Sequence, residues 1–268
     1  MYKKIIIICG MPRSGTSWLG QIFDSSPDVA FRMEPLFSYK FKNIINYRSS
    51  KEEMVKFFND IYLSNDDFIN QKENRNKGAY STFYKNENSG VLVVKTTRHH
   101  YMLERYLSMI NSIEIVSIIR HPCAVISSWI STDREFLGKG CSVDEDWRSG
   151  TCRKDGEGEF WGFNDWLLIT RYHIELCQKY SNFHIVKYSD LVHRPDGVIS
   201  ELFDSLDIKN SKQTKDFLQK CNITHNSDPY SVFKNTDVES KWKHKLNKAI
   251  ADEIINDTIA AGLGDFVE

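Results

Sequence analysis

The 268-residue sequence lacks an excess of either charge, and it lacks any long apolar run. Lysine and arginine number 35 against 36 aspartates and glutamates, which gives a formal charge of −1. General nucleic-acid binders carry a net basic surface, so this balance argues against that class. Because no apolar run reaches the length that crosses a bilayer, we expect no membrane span.

Paired cysteines are also missing. None of the six cysteines forms a Cys-x-x-Cys pair, and none shows a spacing to histidine that is typical of zinc, so we expect no metal. Cys141 and Cys152 are near enough in sequence to bridge one loop in an oxidising compartment. The apolar run at residues 5–9 is too short for the core of a secretory signal. We therefore expect a cytoplasmic protein with reduced thiols.

The arrangement of short apolar segments predicts the fold. Runs rich in β-branched residues alternate with segments of helical spacing, of which residues 160–180 are the clearest. Such alternation predicts an α/β fold with a doubly wound, parallel central sheet of about five strands. No repeat, low-complexity tract or linker interrupts it, so we expect a single domain over residues 1–268. The predicted strands are residues 5–9, 28–33, 91–94, 113–119 and 183–186.

The stretch after the first predicted strand is typical of a phosphate-binding loop. Gly10 and Gly15 bound the loop Gly-Met-Pro-Arg-Ser-Gly, and residues 16–23 then resume with helical spacing. The spacing matches the nucleotide loop G-x-x-x-x-G-K-[ST], but Thr16 takes the place of the lysine. Arg13 is the loop's only cation. This P-loop-like βα turn is suited to a phosphate group without the lysine that serves a triphosphate.

Charged residues follow the next three predicted strands. Glu34, Lys95 and Arg120 each come directly after a strand end. Ligands of open α/β sheets bind at the carboxyl ends of the strands, so these residues should join Arg13 in one crevice. Three cations and one carboxylate predict a site for a polyanionic ligand with one group able to accept a proton.

Two segments resemble motifs of the sulfotransferases that use 3′-phosphoadenosine-5′-phosphosulfate (PAPS). Residues 12–18, Pro-Arg-Ser-Gly-Thr-Ser-Trp, resemble the family's 5′-phosphosulfate loop. Residues 119–129, Ile-Arg-His-Pro-Cys-Ala-Val-Ile-Ser-Ser-Trp, resemble its 3′-phosphate motif, where an arginine after a strand and a serine eight residues later hold the 3′-phosphate. Arg120 and Ser128 match that spacing.

Two weaker matches extend the resemblance to about residue 242. Tyr188, in Lys-Tyr-Ser-Asp-Leu, is similar to a family tyrosine near the adenine, and Lys241 is similar to a basic segment that closes over the cofactor. Trp18 fits a nucleotide contact and a core position equally well. The resemblance implies PAPS as the sulfuryl donor, held by the following residues: Arg13, Ser14, Gly15, Thr16, Ser17, Trp18, Arg120, Ser128, Tyr188 and Lys241.

The resemblance also implies catalytic roles. Arg13 would stabilise charge on the bridging oxygen, and Lys95 would contact the transferring sulfuryl oxygens. Cytosolic members that act on small molecules have a histidine base in a Lys-Thr-His run, where this sequence has Thr97. Glu34, before Pro35, is similar to the glutamate that is the proposed base of carbohydrate sulfotransferases. We therefore expect Glu34 to be the base rather than His99 or His100.

The sequence thus predicts a PAPS-dependent O-sulfotransferase acting on a carbohydrate or glycolipid hydroxyl. A phenol or another small alcohol is the alternative acceptor. A P-loop nucleotide kinase and a nucleotide-binding protein without activity remain alternative functions. Acceptor walls are expected at residues 31–47, 80–84 and 133–160, with Trp147, Phe160 and Trp161 as stacking candidates. The oligomeric state is not predicted.

Overall fold

The computed structural model describes residues 2–156, 158–224, 231–233 and 239–268. The polar composition of residues 224–240 predicts a loop, which falls largely outside the described residues. Among the described residues, no helix is long and apolar enough to span a membrane. The extent of the predicted single domain, residues 1–268, stays a prediction.

Five parallel strands form the central sheet, in the order β2-β3-β1-β4-β5. Their register is parallel throughout; for example, Ile7 pairs with Val94 of β3 and with Ile115 of β4. The prediction of an α/β fold with a five-stranded parallel sheet is confirmed. The strands are β1 Lys4–Cys9, β2 Val29–Met33, β3 Val91–Lys95, β4 Ile113–Ile119 and β5 Phe183–Lys187.

Helices cover both faces of this sheet. The long helix expected at residues 160–180 is Phe163–Lys179. Ser50 and Glu53 have the sequence spacing of a capping box, which predicts a helix from about Lys51, and a helix begins there behind that box. The described residues form helices α1 Thr16–Asp24, α2 Lys51–Tyr62, α3 Lys72–Asn76, α4 Leu103–Met109, α5 Pro122–Ile130, α6 Val143–Ser149, α7 Phe163–Lys179, α8 Tyr188–His193, α9 Pro195–Ser205, α10 Lys212–Ile223, α11 Trp242–Lys245 and α12 Lys248–Ala260.

The isoleucines of β1 divide the core between the two faces. Ile6 and Ile8 pack with α1 and α9 on one face, whereas Ile5 and Ile7 pack with α2 and α4 on the other. Successive side chains of a strand point to opposite faces, so an unbroken apolar run suits a strand that is buried on both. The central place of β1 therefore follows from its composition. It puts the loop after β1 in the middle of the sheet's carboxyl edge.

The segment between α5 and α7 corrects one prediction. Residues 133–159 are rich in charged residues, glycine and serine, which predicts an irregular segment. They contain the seven-residue helix α6 and are bridged by a disulfide between Cys141 and Cys152. The expectation that all thiols are reduced is wrong for this pair. Their Cα atoms lie 5.4 Å apart, within the normal range for a disulfide. Cys9, Cys123, Cys177 and Cys221 are free thiols.

Candidate active site

The loop after β1 is shaped by two backbone features. Gly15 has φ of 94°, and a Cβ there would lie 2.6 Å from the ring of Tyr188, so only glycine fits. Arg13 also has a left-handed backbone, with φ of 70°. A non-glycine residue in that region carries strain, which is commonest where a ligand is bound. The Ser14 hydroxyl is buried in the loop and has no hydrogen-bond partner.

The second predicted motif packs directly against this loop. The Arg13 Nε donates to the Ser128 hydroxyl at 3.2 Å, and an Arg120 guanidinium nitrogen donates to the Arg13 carbonyl at 3.0 Å. Ser128 lies on α5 and Arg120 at the end of β4, more than a hundred residues beyond Arg13. The fold therefore brings together the two segments that resemble the 5′-phosphosulfate loop and the 3′-phosphate motif.

Arg120 is held firmly in that corner. Its guanidinium lies 4.6 Å from the centre of the Tyr188 ring, and the Trp166 indole donates to its carbonyl at 3.1 Å. Burial lowers the pKa of Arg120, but an arginine stays charged in proteins. A buried guanidinium beside the loop can bind a phosphate strongly, because little water screens the charge.

Glu34 and Lys95 form a buried ion pair at the ends of β2 and β3. The Lys95 Nζ lies 3.0 Å from a Glu34 oxygen, and the Thr97 backbone and hydroxyl donate to the same oxygen at 2.8 and 2.7 Å. Thr96 donates to the other oxygen at 3.2 Å, and Arg98 is 3.8 Å away. Glu34 also has a left-handed backbone, with φ of 42°. The carboxylate is thus fixed in place by residues of the next strand end.

These contacts determine the charge of Glu34. Burial alone would raise its pKa, but the charges of Lys95 and Arg98 and the Thr97 hydrogen bond outweigh burial and hold the pKa at about 2. Glu34 is therefore ionised at neutral pH. It is a weak proton acceptor for as long as Lys95 stays against it.

The alternative bases lie elsewhere. The His100 ring is buried and bonds the His173 ring at 3.1 Å, and His173 in turn contacts the Ser117 hydroxyl at 2.7 Å. Burial lowers the pKa of His100 to about 4. His99 contacts the hydroxyl of Tyr101 at 2.9 Å. Neither His99 nor His100 lines the cleft described next, so the geometry favours Glu34 over both.

A cleft of about 760 Å³ joins these groups at the carboxyl edge of the sheet. Its size lies in the usual range for a site that binds a cofactor and a small substrate. It includes every predicted site residue except Ser14, which is buried beneath the loop. The predicted residues along it are Arg13, Gly15, Thr16, Ser17, Trp18, Glu34, Lys95, Arg120, Ser128, Tyr188 and Lys241.

The end of the cleft beyond Glu34 has an aromatic wall. Phe37 and Phe68 lie there with ring centres 6.0 Å apart, and the Arg98 guanidinium stacks 3.9 Å from the Phe37 ring. Of the three stacking candidates, Trp161 lines the cleft, whereas Trp147 packs on Phe163 and Phe160 packs on His100.

Several residues of the cleft were not predicted individually, although Glu135 and Arg153 lie in the acceptor wall expected at residues 133–160. Glu135 lies 3.7 Å from Arg13, and Arg153 lies 5.1 Å from the centre of the Trp161 ring. Gln71 and Asn74, around the start of α3, also line the cleft. They come from polar segments without periodicity, so no pattern distinguished them from surface residues.

The comparison with protein families decides what kind of protein this is. A model described as the sulfotransferase family matches residues 6–212. The chain belongs to the sulfotransferase family. The matched residues include the loop after β1, Glu34, Lys95, Arg120 and Tyr188. No curated protein matches the sequence.

Solved sulfotransferase structures resemble this fold at low sequence identity. The sulfotransferase domain from the curacin biosynthetic pathway is 17% identical, covers 95% of this chain and 96% of its own, and has a TM-score of 0.54. Mouse sulfotransferase SULT7A1 complexed with PAP is 13% identical, with coverages of 100% and 89% and a TM-score of 0.57. Retinol dehydratase in a complex with retinol and PAP is 11% identical, with coverages of 97% and 82% and a TM-score of 0.54. These likenesses establish the fold.

Proposed function

We propose that this sulfotransferase transfers a sulfuryl group from PAPS to an acceptor hydroxyl. The observation that carries the proposal is the contact of Arg13 with Ser128 and of Arg120 with the Arg13 backbone, at 3.2 and 3.0 Å. A donor with phosphates at both its 5′ and 3′ positions needs such a double site. Related folds that bind PAP, the desulfated form of PAPS, support the choice of donor.

Different residues of the cleft have different roles in an in-line transfer. PAPS supplies the sulfuryl group, whose bond to the bridging phosphate oxygen breaks as the bond to the acceptor oxygen forms. The loop amides with Thr16 and Ser17 hold the 5′ end, and Arg120 with Ser128 holds the 3′-phosphate. Trp18, Tyr188 and Lys241 line the nucleotide end. Arg13 stabilises the charge that develops on the bridging oxygen.

Glu34 would take the proton of the acceptor hydroxyl once Lys95 also contacts the sulfuryl group. Lys95 bonds Glu34 at 3.0 Å in the protein alone. Sulfuryl oxygens nearby would share that ammonium group, and weaker contact with Lys95 raises the pKa of Glu34. The residue would then be a better base at the moment of transfer, with its oxygens still oriented by Thr97.

Two acceptor classes fit the aromatic end of the cleft. A sugar hydroxyl is supported by the ring of Trp161 and by the polar side chains of Arg98, Arg153, Gln71 and Asn74, which can bond neighbouring hydroxyls. A small apolar alcohol or phenol is supported by the wall of Phe37, Phe68 and Met33. We retain a carbohydrate or glycolipid as the first candidate, since the Glu34-Pro35 segment resembles carbohydrate-directed enzymes.

The residues of the cleft also bear on two other functions, a nucleotide kinase and a binding protein without activity. A nucleotide kinase lacks support because Thr16 stands where the triphosphate-binding lysine belongs. A binding protein without activity would hold PAP and transfer nothing. A cytoplasmic location stays a prediction, and the Cys141–Cys152 disulfide argues against it because such bonds are rare in reducing compartments.

The test is a transfer assay with labelled PAPS against sugars, glycolipids, phenols, steroids and tyrosine peptides. We expect label on a hydroxyl acceptor and PAP as the second product, without dependence on ATP. Tight PAP binding with no transfer to any acceptor would indicate a binding protein. Magnesium-dependent turnover of ATP would indicate a kinase instead.

A further inference from the structure

The segment at residues 35–48, here called the mouth segment, carries positive charge without negative charge. It contains Lys40, Lys42 and Arg48 and no aspartate or glutamate, in a protein with a formal charge of −1. All three cations are exposed. The mouth segment is therefore a locally basic surface on a protein without a net positive charge.

Apolar side chains stand among these cations. Tyr39 is fully exposed, with a relative accessibility of 105%, while Ile44 and Tyr47 are exposed at 50% and 55%. Single apolar side chains are often exposed on protein surfaces, but it is uncommon for three of them to be exposed within one short basic segment.

The fold holds these side chains outward. Phe41 and Ile45 are buried in the core beside α2 and anchor the segment from below. The Ser38 hydroxyl donates to the Pro35 carbonyl at 2.7 Å and accepts from the Phe41 backbone at 3.1 Å. Because Phe41 and Ile45 are fixed inward, the exposed residues between and beside them form a preorganised surface rather than a loose loop.

The surface lies at the acceptor end of the cleft. Phe37, at its start, lines the cleft and is 47% exposed. Lys40 donates to the Ser64 hydroxyl at 3.3 Å, which places the exposed Leu63 beside the same surface. Two nearby acids are engaged locally: Asp67 pairs with Lys72 at 3.3 Å, and Asp66 accepts from the Ile69 backbone at 3.0 Å.

We propose that the mouth segment docks the protein on an anionic lipid surface, with the acceptor end of the cleft facing the headgroups. Lysines are attracted to anionic headgroups, and tyrosine and aliphatic side chains gain by entering the interface between headgroup and acyl chain. A small acceptor that diffuses in water needs contacts inside the cleft alone, so it does not explain a basic and apolar surface outside it. Docking does not depend on the identity of the donor or on the transfer reaction.

The test is co-sedimentation of the full chain with vesicles. We compare phosphatidylcholine vesicles with vesicles that contain about one quarter phosphatidylglycerol. We expect the protein to partition to the anionic vesicles at least about tenfold more strongly, and to lose this preference between about 0.1 M and about 0.5 M salt. Lys40→Gln with Lys42→Gln should weaken binding by about fivefold per lysine. Tyr39→Ser with Ile44→Ser should weaken it at either salt concentration.

A matched control uses residues of the same types on other faces. Lys212→Gln with Ile259→Ser removes an exposed lysine from α10 and an exposed isoleucine from α12, and vesicle binding should be unchanged. PAP binding should be normal in all variants and verifies folding. Equal binding to both vesicle types, or equal losses in the mouth and control variants, overturns the proposal. Either result leaves the proposed transfer reaction standing.

Discussion

Glu34 is the residue whose chemistry depends most on its neighbours. The sequence around Glu34 does not reveal the pKa of its carboxyl group, and that pKa decides how well Glu34 can accept a proton. In the fold, Lys95, Arg98 and Thr97 hold the pKa of this carboxyl at about 2 against the opposing effect of burial. In the proposed mechanism, its strength as a base depends on the position of the Lys95 ammonium group.

Glu34→Gln should reduce kcat by at least about 100-fold, because the amide cannot accept the acceptor proton. PAP affinity should change little, since Glu34 does not belong to either phosphate motif. Steady-state kinetics and PAP titration separate the two effects. Glu135→Gln is the comparison variant, because Glu135 is a second carboxylate along the cleft. A large loss of kcat in Glu135→Gln with normal turnover in Glu34→Gln would move the role of base to Glu135.

Arg120 is the residue that should distinguish PAP from nucleotides without a 3′-phosphate. Arg120→Lys keeps the charge but loses the forked donor geometry, so PAP should bind about 10- to 100-fold more weakly. Affinity for adenosine 5′-phosphosulfate, which lacks the 3′-phosphate, should stay near that of the wild type. Calorimetric titration of both ligands is the measurement. Arg98→Ala, on the acceptor side, should bind PAP normally, and a parallel weakening of both nucleotides in Arg120→Lys would contradict the assignment.

At the scale of elements, the strands were easier to predict than the short helices. All five strands lie within one residue of the expected bounds, because buried parallel strands are short, largely apolar runs. Helix α8, Tyr188–His193, and helix α6, Val143–Ser149, were missed. Both have only six or seven residues, too few for a clear hydrophobic period. Their surroundings, not their own sequence, stabilise them.

The disulfide should stabilise the element that contains α6. It closes a loop with a sequence separation of 11, and removing it should lower the free energy of unfolding by about 2 to 3 kcal/mol. Cys141→Ser should therefore melt at a lower temperature than the wild type. Reductant should lower the melting temperature of the wild type and leave that of the variant unchanged. Cys177→Ser, at a half-buried free thiol, is the matched control and should retain its sensitivity to reductant.

For the whole molecule, the ion pair of Glu34 and Lys95 predicts how stability depends on pH. The folded pKa of about 2 is below the ordinary value of 4.5 for glutamate. The stabilisation is therefore complete above about pH 4.5 and is lost as the pH falls toward 2. Between pH 4.5 and pH 2, the free energy of unfolding of the wild type should fall by about 3 kcal/mol more than that of Glu34→Gln. Urea unfolding of both proteins across this range measures the difference, and parallel curves would contradict it.

The sequence by itself determined the five strands of the sheet and the loop after β1. It also determined which residues make up the two segments that resemble phosphate motifs, because these features depend on local composition and fixed spacing. Residues that follow strands were correctly expected to share one edge, since parallel strands end on the same side. The tertiary structure alone decided which groups touch. The Arg13–Ser128 contact, the removal of His100 from the cleft and the low pKa of Glu34 depend on desolvation and on charges far apart in the chain. No local pattern encodes those distances.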